Sequence, residues 1–215
     1  MDHPLTLHGY FRSSAAWRVR IALAIKGVPH AQAFRHLRKA EQSAPAFRAL
    51  NPQGLVPALE TPEGVLTQSL AIVEWLDETQ PGPKLLPADA WGRARVRALA
   101  QVIACDIHPI QNLRVLQYLK RECSQDQPAI DAWARHWIAL GLDAFEMHLA
   151  EPATGAFCHG DAPGLADLCL VPQLYNARRF GLDLAPYRRI LAIEAACVAL
   201  PPFRQSAPES QPDAE

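Results

Sequence analysis

Arg12-Ser13-Ser14 falls between an apolar strand-like run and an apolar helical run. A hydroxyl at such a junction faces the exposed N–H groups and positive end of the helix that follows. Those surroundings favour an anion, a thiolate included. The same serines would serve equally as a plain helix N-cap. Val56-Pro57 joins a loop to a strand, and proline within a sheet is confined to edges and special turns. A cis bond there would present the N–H and C=O of Val56 to an extended peptide, whereas a trans bond would make an ordinary turn. Gln68-Ser69 opens a helix. It offers an amide, a hydroxyl and free N–H groups, suited to a carboxylate with a nearby ammonium or to a simple cap. Together the three stretches predict a thiolate site, a strand-pairing site and a carboxylate site, the needs of an extended thiol tripeptide.

The elements around these residues follow from hydrophobic period and turn signals. Leu5 to Tyr10 reads as a strand, Arg18 to Lys26 as a helix stopped by Gly27, and His30 to His36 as a second strand. Val56 to Leu59 and Val65 to Thr67 read as short strands about a turn at Pro62-Glu63-Gly64, and Ser69 as the N-cap of the helix LAIVEWLDET. The order β-α-β-α-β-β-α predicts a compact α/β unit with a mixed sheet over residues 1–81. Pro81-Gly82-Pro83 begins a linker, and strand signals stop beyond it. Helices are expected over Arg93 to Cys105, Asn112 to Arg121, Gln127 to Leu149, Leu165 to Phe180 and Tyr187 to Leu200. The polar tail SAPESQPDAE is expected to fray. The second domain, 88–215, is therefore expected to be all-helical.

Bulk composition narrows the functional classes. The 215 residues are 49% hydrophobic and 20% charged with a net charge of −1, so no basic excess is present to neutralise phosphates and nucleic acid is not the expected partner. Neither a signal peptide nor a run long enough to span a bilayer is legible, which predicts a soluble, cytoplasmic protein without a membrane partner. The cysteines (Cys105, Cys123, Cys158, Cys169 and Cys197) are odd in number and widely spaced, against a disulfide scaffold or a metal site. All but Cys123 sit among apolar neighbours and read as buried thiols.

Several long motifs in one order carry a family resemblance. YFRSSAAWRVRIALAIKG, NPQGLVPALE and LTQSLAIVEWLDET resemble the glutathione-binding segments of zeta-class glutathione transferases. HPIQNLRVLQYLK, GLADLCLVPQ and ARRFGLDLAPY are similar to the second half of that class. The likeness runs from about Leu5 to Phe203, nearest the maleylpyruvate and maleylacetoacetate isomerases of aromatic catabolism. It implies the glutathione transferase fold, a thioredoxin-like domain followed by a helical bundle domain, with glutathione as cofactor and a homodimer as the assembly.

By position, the resemblance implies that Ser13 is the hydroxyl near the glutathione sulfur. It further implies that Gln42 and Gln53 contact the peptide's glycine end or backbone, that Val56 pairs with its cysteine backbone, and that Gln68 and Ser69 hold its γ-glutamyl carboxylate. Gln111 and Asn112 would contact it from the helical domain. Arg12, His108, Arg114 and Arg179 match positions facing an acidic substrate, although His108 would equally begin a helix and each arginine would equally be a solvated surface residue. Arginine suits a diacid because its planar fork pairs bidentately with carboxylates. Isomerising a maleyl double bond needs transient addition of a nucleophile, and the sulfur of glutathione would provide it.

Two departures from the class stand out. Ala15 replaces the cysteine of its Ser-Ser-Cys motif, so no protein thiol at that position can be required. Gly164 replaces a threonine helix cap, with Asp167 retained to complete the cap from inside the helix. The alternatives from other classes are a general conjugating transferase with a broad apolar pocket and a non-catalytic glutathione-binding module.

Overall fold

Leu5 and Leu7 alternate with the half-exposed Thr6, the period of a strand with one covered face, and β1 (Leu5–Gly9) forms there. The computed structural model describes residues 5–215. After β1 come α1 (Ser14–Lys26), β2 (His30–Phe34), α2 (Pro45–Leu50), β3 (Ala58–Thr61), β4 (Gly64–Thr67) and α3 (Ser69–Thr79). The sheet order is β2-β1-β3-β4, with β1 parallel to β2 and antiparallel to β3, and β4 antiparallel to β3. Leu7 lies across from Gln32 on one side and Leu59 on the other. Leu7, Leu59, Ile21, Leu23, Ile72 and Leu76 are buried at the centre of this unit. This is the mixed α/β arrangement of a thioredoxin-like domain.

Helix α1 begins four residues earlier than periodicity alone predicts, because Ser13 caps it and Ala15 and Ala16 extend it favourably. Helix α3 corrects a second expectation. Its N-cap is Gln68, and Ser69 occupies the first helical position. The Ser69 hydroxyl accepts a hydrogen bond from the buried Arg18 at 3.1 Å, which leaves its proton to donate.

The second group of elements is helical: α4 (Ala90–Gln101), α5 (Leu113–Arg121), α6 (Gln127–His148), α7 (Leu165–Arg179) and α8 (Arg188–Val198). The continuous helix expected to Cys105 instead ends at Gln101 and passes into a π-helical stretch, Val102–Ile107. Gly141 of α6 explains the seat of that stretch. A Cβ there would stand 2.3 Å from Ile107 Cγ1, so only glycine admits the Ile107 side chain. At α7, the Asp167 carboxylate accepts from the Gly164 N–H at 2.8 Å and the Cys158 N–H at 2.9 Å, which completes the cap that glycine leaves half-made. Complete burial pushes the Asp167 pKa up, against the pull of those two donors.

The expected fraying of the tail is overturned. Residues 5–85 and Val198–Glu215 form one compact unit, and Leu86–Cys197 the other. Helix α9 (Pro201–Gln205) and a 3-10 turn at Pro208–Ser210 order the final stretch, with Phe203, Ser206 and Gln211 buried. Composition misleads here because the polar groups are bonded inward: Gln211 Nε2 donates to the carbonyls of Gln205 and Ala207 at 2.9 and 3.0 Å. The helical region taken over 88–215 therefore gives its last eighteen residues to the first unit. Cys105 also departs from expectation; it is exposed, like Cys123, while Cys158, Cys169 and Cys197 are buried. Among the described residues, no helix is long and apolar enough to cross a membrane, and no group of three or more acidic, His or Cys side chains could hold a metal ion.

Candidate active site

In the first unit, Ser13 adopts an extended backbone (φ −69°, ψ 112°), and its Oγ accepts from the Ala16 N–H at 3.2 Å. The capping bond uses an oxygen lone pair and leaves the hydroxyl proton to donate. Both sequence readings of this serine are thus compatible: it caps α1 and can offer a donor to an anion at the helix start. Arg12 stands in the preceding turn, its guanidinium carbon 5.5 Å from the centroid of the Phe11 ring.

Gln53 and Gln68 are brought together, with Gln68 Nε2 donating to Gln53 Oε1 at 2.9 Å. Gln68 has φ 70° and ψ 115°, a conformation that costs a side-chain-bearing residue about 1–3 kcal/mol. This strained residue stands at the start of a helix, beside the buried Ser69, where the first backbone N–H groups lack intrahelical partners. Gln42 lies in the 3-10 turn Glu41–Ser43, and its Oε1 is buried without a hydrogen-bond partner. Gly54, at φ 62°, brings the Gln53 loop close to it: a Cβ on Gly54 would be 3.0 Å from the Gln42 carbonyl oxygen. The Val56-Pro57 bond is cis.

Two arginines of α1, Arg18 and Arg20, are buried in the same unit. Arg18 is 2% exposed, and its Nε and one terminal nitrogen are buried without partners while the other holds Ser69. Arg20 donates to the carbonyls of Ser206 (3.1 Å), Tyr10 (3.4 Å) and Phe11 (2.9 Å). Burial pushes its pKa down to about 10, with Asp213 opposing. Asp213 Oδ2 in turn accepts from the Phe11 N–H at 2.9 Å, so the backbone before Arg12 and Ser13 is held by both residues. The signal was present in RVRIALAIK: two arginines in a helix with no polar face to receive them.

In the second unit, Asn112 caps α5, its Oδ1 accepting from the Arg114 N–H at 3.3 Å, and its Nδ2 lies 3.4 Å from His108 Nε2. Trp133 Nε1 donates to the Ile110 carbonyl at 3.0 Å and ties this segment to α6. Arg114 is exposed on α5. Gln111 is 4% exposed, and its amide is engaged inward: Nε2 donates to Gln173 Oε1 at 3.2 Å and Oε1 accepts from Asn176 Nδ2. Arg179 NH1 donates to Asn176 Oδ1 at 2.9 Å, and the guanidinium lies over the Phe180 ring at 5.5 Å. Gln111 and Arg179, expected to face cofactor and substrate respectively, are thus joined through Asn176. Gln173 and Asn176 went unnoticed in the sequence because polar residues at that spacing in an apolar helix announce burial, not a partner.

A capped helix start with a hydroxyl proton to spare, a strained second helix start and an arginine-bearing helical unit accompany the thioredoxin-like framework, the fold of the glutathione-using transferases. Residues 7–84 match the family model described as the glutathione S-transferase N-terminal domain. Maleylpyruvate isomerase from a Ralstonia species is 53% identical over 210 residues, covering 97% of this chain and 99% of that protein. A holo structure of maleylpyruvate isomerase, described as a bacterial zeta-class glutathione S-transferase, matches with a TM-score of 0.96 at 53% identity, over 98% of this chain and 100% of that one. Maleylacetoacetate isomerase from Methylobacterium extorquens AM1, with bound malonate and glutathione, matches with a TM-score of 0.95 at 42% identity, over 98% and 99% of the two chains. The chain belongs to the glutathione transferase family, in its zeta class.

Proposed function

We propose that this chain is a glutathione-dependent cis–trans isomerase of a maleyl-type diacid, converting maleylpyruvate to fumarylpyruvate or maleylacetoacetate to fumarylacetoacetate, as a cytoplasmic homodimer. The observation that carries the reading is the pairing, within one unit, of a donor hydroxyl at the start of α1 with the Gln53–Gln68–Ser69 group at the strained start of α3. One end suits a thiolate and the other a charged amino-acid end. The orphaned Gln42 Oε1 is a further acceptor suited to a peptide N–H. These features fit glutathione, and the first unit is the part that would bind it.

Glutathione, when bound, supplies a thiolate able to add reversibly to the conjugated double bond and so free it to rotate. Ser13 donates its hydroxyl proton to that sulfur and keeps it ionised, aided by the α1 N-terminus. Gln68, Ser69 and the first N–H groups of α3 hold the γ-glutamyl carboxylate, and Val56 pairs with the peptide backbone. Arg12, Arg114 and Arg179 bind the carboxylates of the diacid and stabilise negative charge that develops on its conjugated carbonyl. His108 hydrogen-bonds the substrate. The malonate bound together with glutathione in the structure of the Methylobacterium relative supports a diacid over a broad apolar electrophile.

The test is a progress curve of the maleyl chromophore, with and without glutathione, on both diacids. Arg179→Ala is expected to raise the diacid KM by about tenfold or more with glutathione affinity retained. An unchanged KM removes Arg179 from the site. Faster turnover of a chlorinated aromatic than of either diacid would favour a conjugating transferase.

A further inference from the structure

Arg178 and Arg179 are neighbours in α7 that donate to different kinds of acceptor. Arg178 is gripped by the Glu194 carboxylate through two bonds of 2.5 Å, which raises its pKa and cancels its charge locally. Arg179 is gripped by the Oδ1 of Asn176, a neutral amide, at 2.9 Å. The direction of everything behind that bond is then fixed, because a guanidinium only donates. Asn176 must turn its oxygen to Arg179 and its nitrogen to Gln111; Gln111 must accept on its oxygen and donate from its nitrogen to Gln173. The relay ends at Gln173 Nε2, buried and without a partner. Gln173, Gln111 and Asn176 are 0%, 4% and 6% exposed, so water does not set their orientation.

A buried amide left half-satisfied is costly, and a carboxylate at position 176 would give Arg179 a stronger partner. What the amide offers instead is orientation without a negative charge. We propose that Asn176, backed by Gln111 and Gln173, is a positioning residue that aims the Arg179 guanidinium at a carboxylate of the substrate while contributing no competing anion. This rests on the diacid reading above and assigns Gln111 a role through Arg179.

Asn176→Asp is the decisive substitution. It conserves shape and the bond to Arg179, and the amides of Gln111 and Gln173 can reverse so that each donates towards position 176. The assay is isomerisation of maleylpyruvate at saturating glutathione, with KM and kcat resolved, thermal melting, and glutathione affinity measured separately. The expected result is a diacid KM raised about tenfold or more with melting temperature and glutathione affinity near wild type. In the Arg179→Ala background the same substitution should raise KM no further, which a merely structural role would not produce. Gln173→Leu replaces the half-satisfied amide with an apolar group of similar volume; a KM rise of about threefold is expected, again absent without Arg179. A wild-type KM in Asn176→Asp, or effects that add to Arg179→Ala, overturns the proposal. If Arg179→Ala itself leaves KM unchanged, the diacid reading of this arginine fails first; if it raises KM while Asn176→Asp does not, only the relay fails.

Discussion

In the unit that carries Ser13, Gln68 and Ser69, each of these residues stands at the start of a helix, its backbone set by its own turn. In the other unit, Arg179 stands at the end of α7 and is aimed by a line of amides drawn from residues 111, 173 and 176. The first arrangement depends on local conformation, which a few neighbouring residues decide. The second depends on side chains brought together across more than sixty positions, each needing the next to be turned correctly. A helix terminus keeps its field when a neighbour is substituted; a chain of directed hydrogen bonds loses its purpose when one link changes.

The largest test of this contrast is Ser13→Ala. Its cap bond contributes about 1 kcal/mol to stability, whereas loss of a donor to a reacting anion lowers turnover by about a hundredfold or more. A fall of that size in kcat/KM, with a melting temperature only about 2–4 °C lower, separates chemistry from capping. Equal, small losses in both would reduce Ser13 to a cap and remove the local half of the comparison.

Gly141→Ala sharpens the other half. The added methyl meets Ile107, and overpacking of this kind costs about 1–3 kcal/mol. Because Ile107 adjoins His108 and the Gln111–Asn112 corner, thermal melting should fall while the diacid KM rises more than the glutathione dissociation constant. Equal changes in the two ligand affinities would mean that the corner does not serve the diacid alone. Smallest is Asp213→Ala, which removes the acceptor for the Phe11 N–H and is expected to cost about 1 kcal/mol; Asp213→Asn, keeping an acceptor there, should recover most of it in the same melting experiment.

What could be read from sequence divides along the same line. Ser13, Gln68 and Ser69 announce themselves because turn and cap chemistry is local, and the strands around them follow from short-range alternation. The place of Gln68, not Ser69, at the cap was not legible, nor was the hold on the Ser69 hydroxyl by Arg18, fifty-one residues away. The π-helical turn was likewise hidden: Ile107 adopts it against a glycine thirty-four residues on, and no local period records that. Arg114 and Arg179 entered through family likeness and not through any pattern of their own. Asn176, whose bond gives Arg179 its direction, had no signal beyond being polar in an apolar helix.

The return of Val198–Glu215 to the first unit bears on how the protein is made. Arg20 takes one of its three carbonyl partners from Ser206, and the loop before Ser13 takes a carboxylate from Asp213. During translation, about 110 residues of intervening chain separate Leu85 from that segment. At about 5–20 residues per second, the ribosome leaves the loop before Ser13 unfinished for on the order of ten seconds. A nascent chain stalled before Ser206 would carry every residue proposed to face glutathione and still lack the clasp on the backbone at Tyr10 and Phe11.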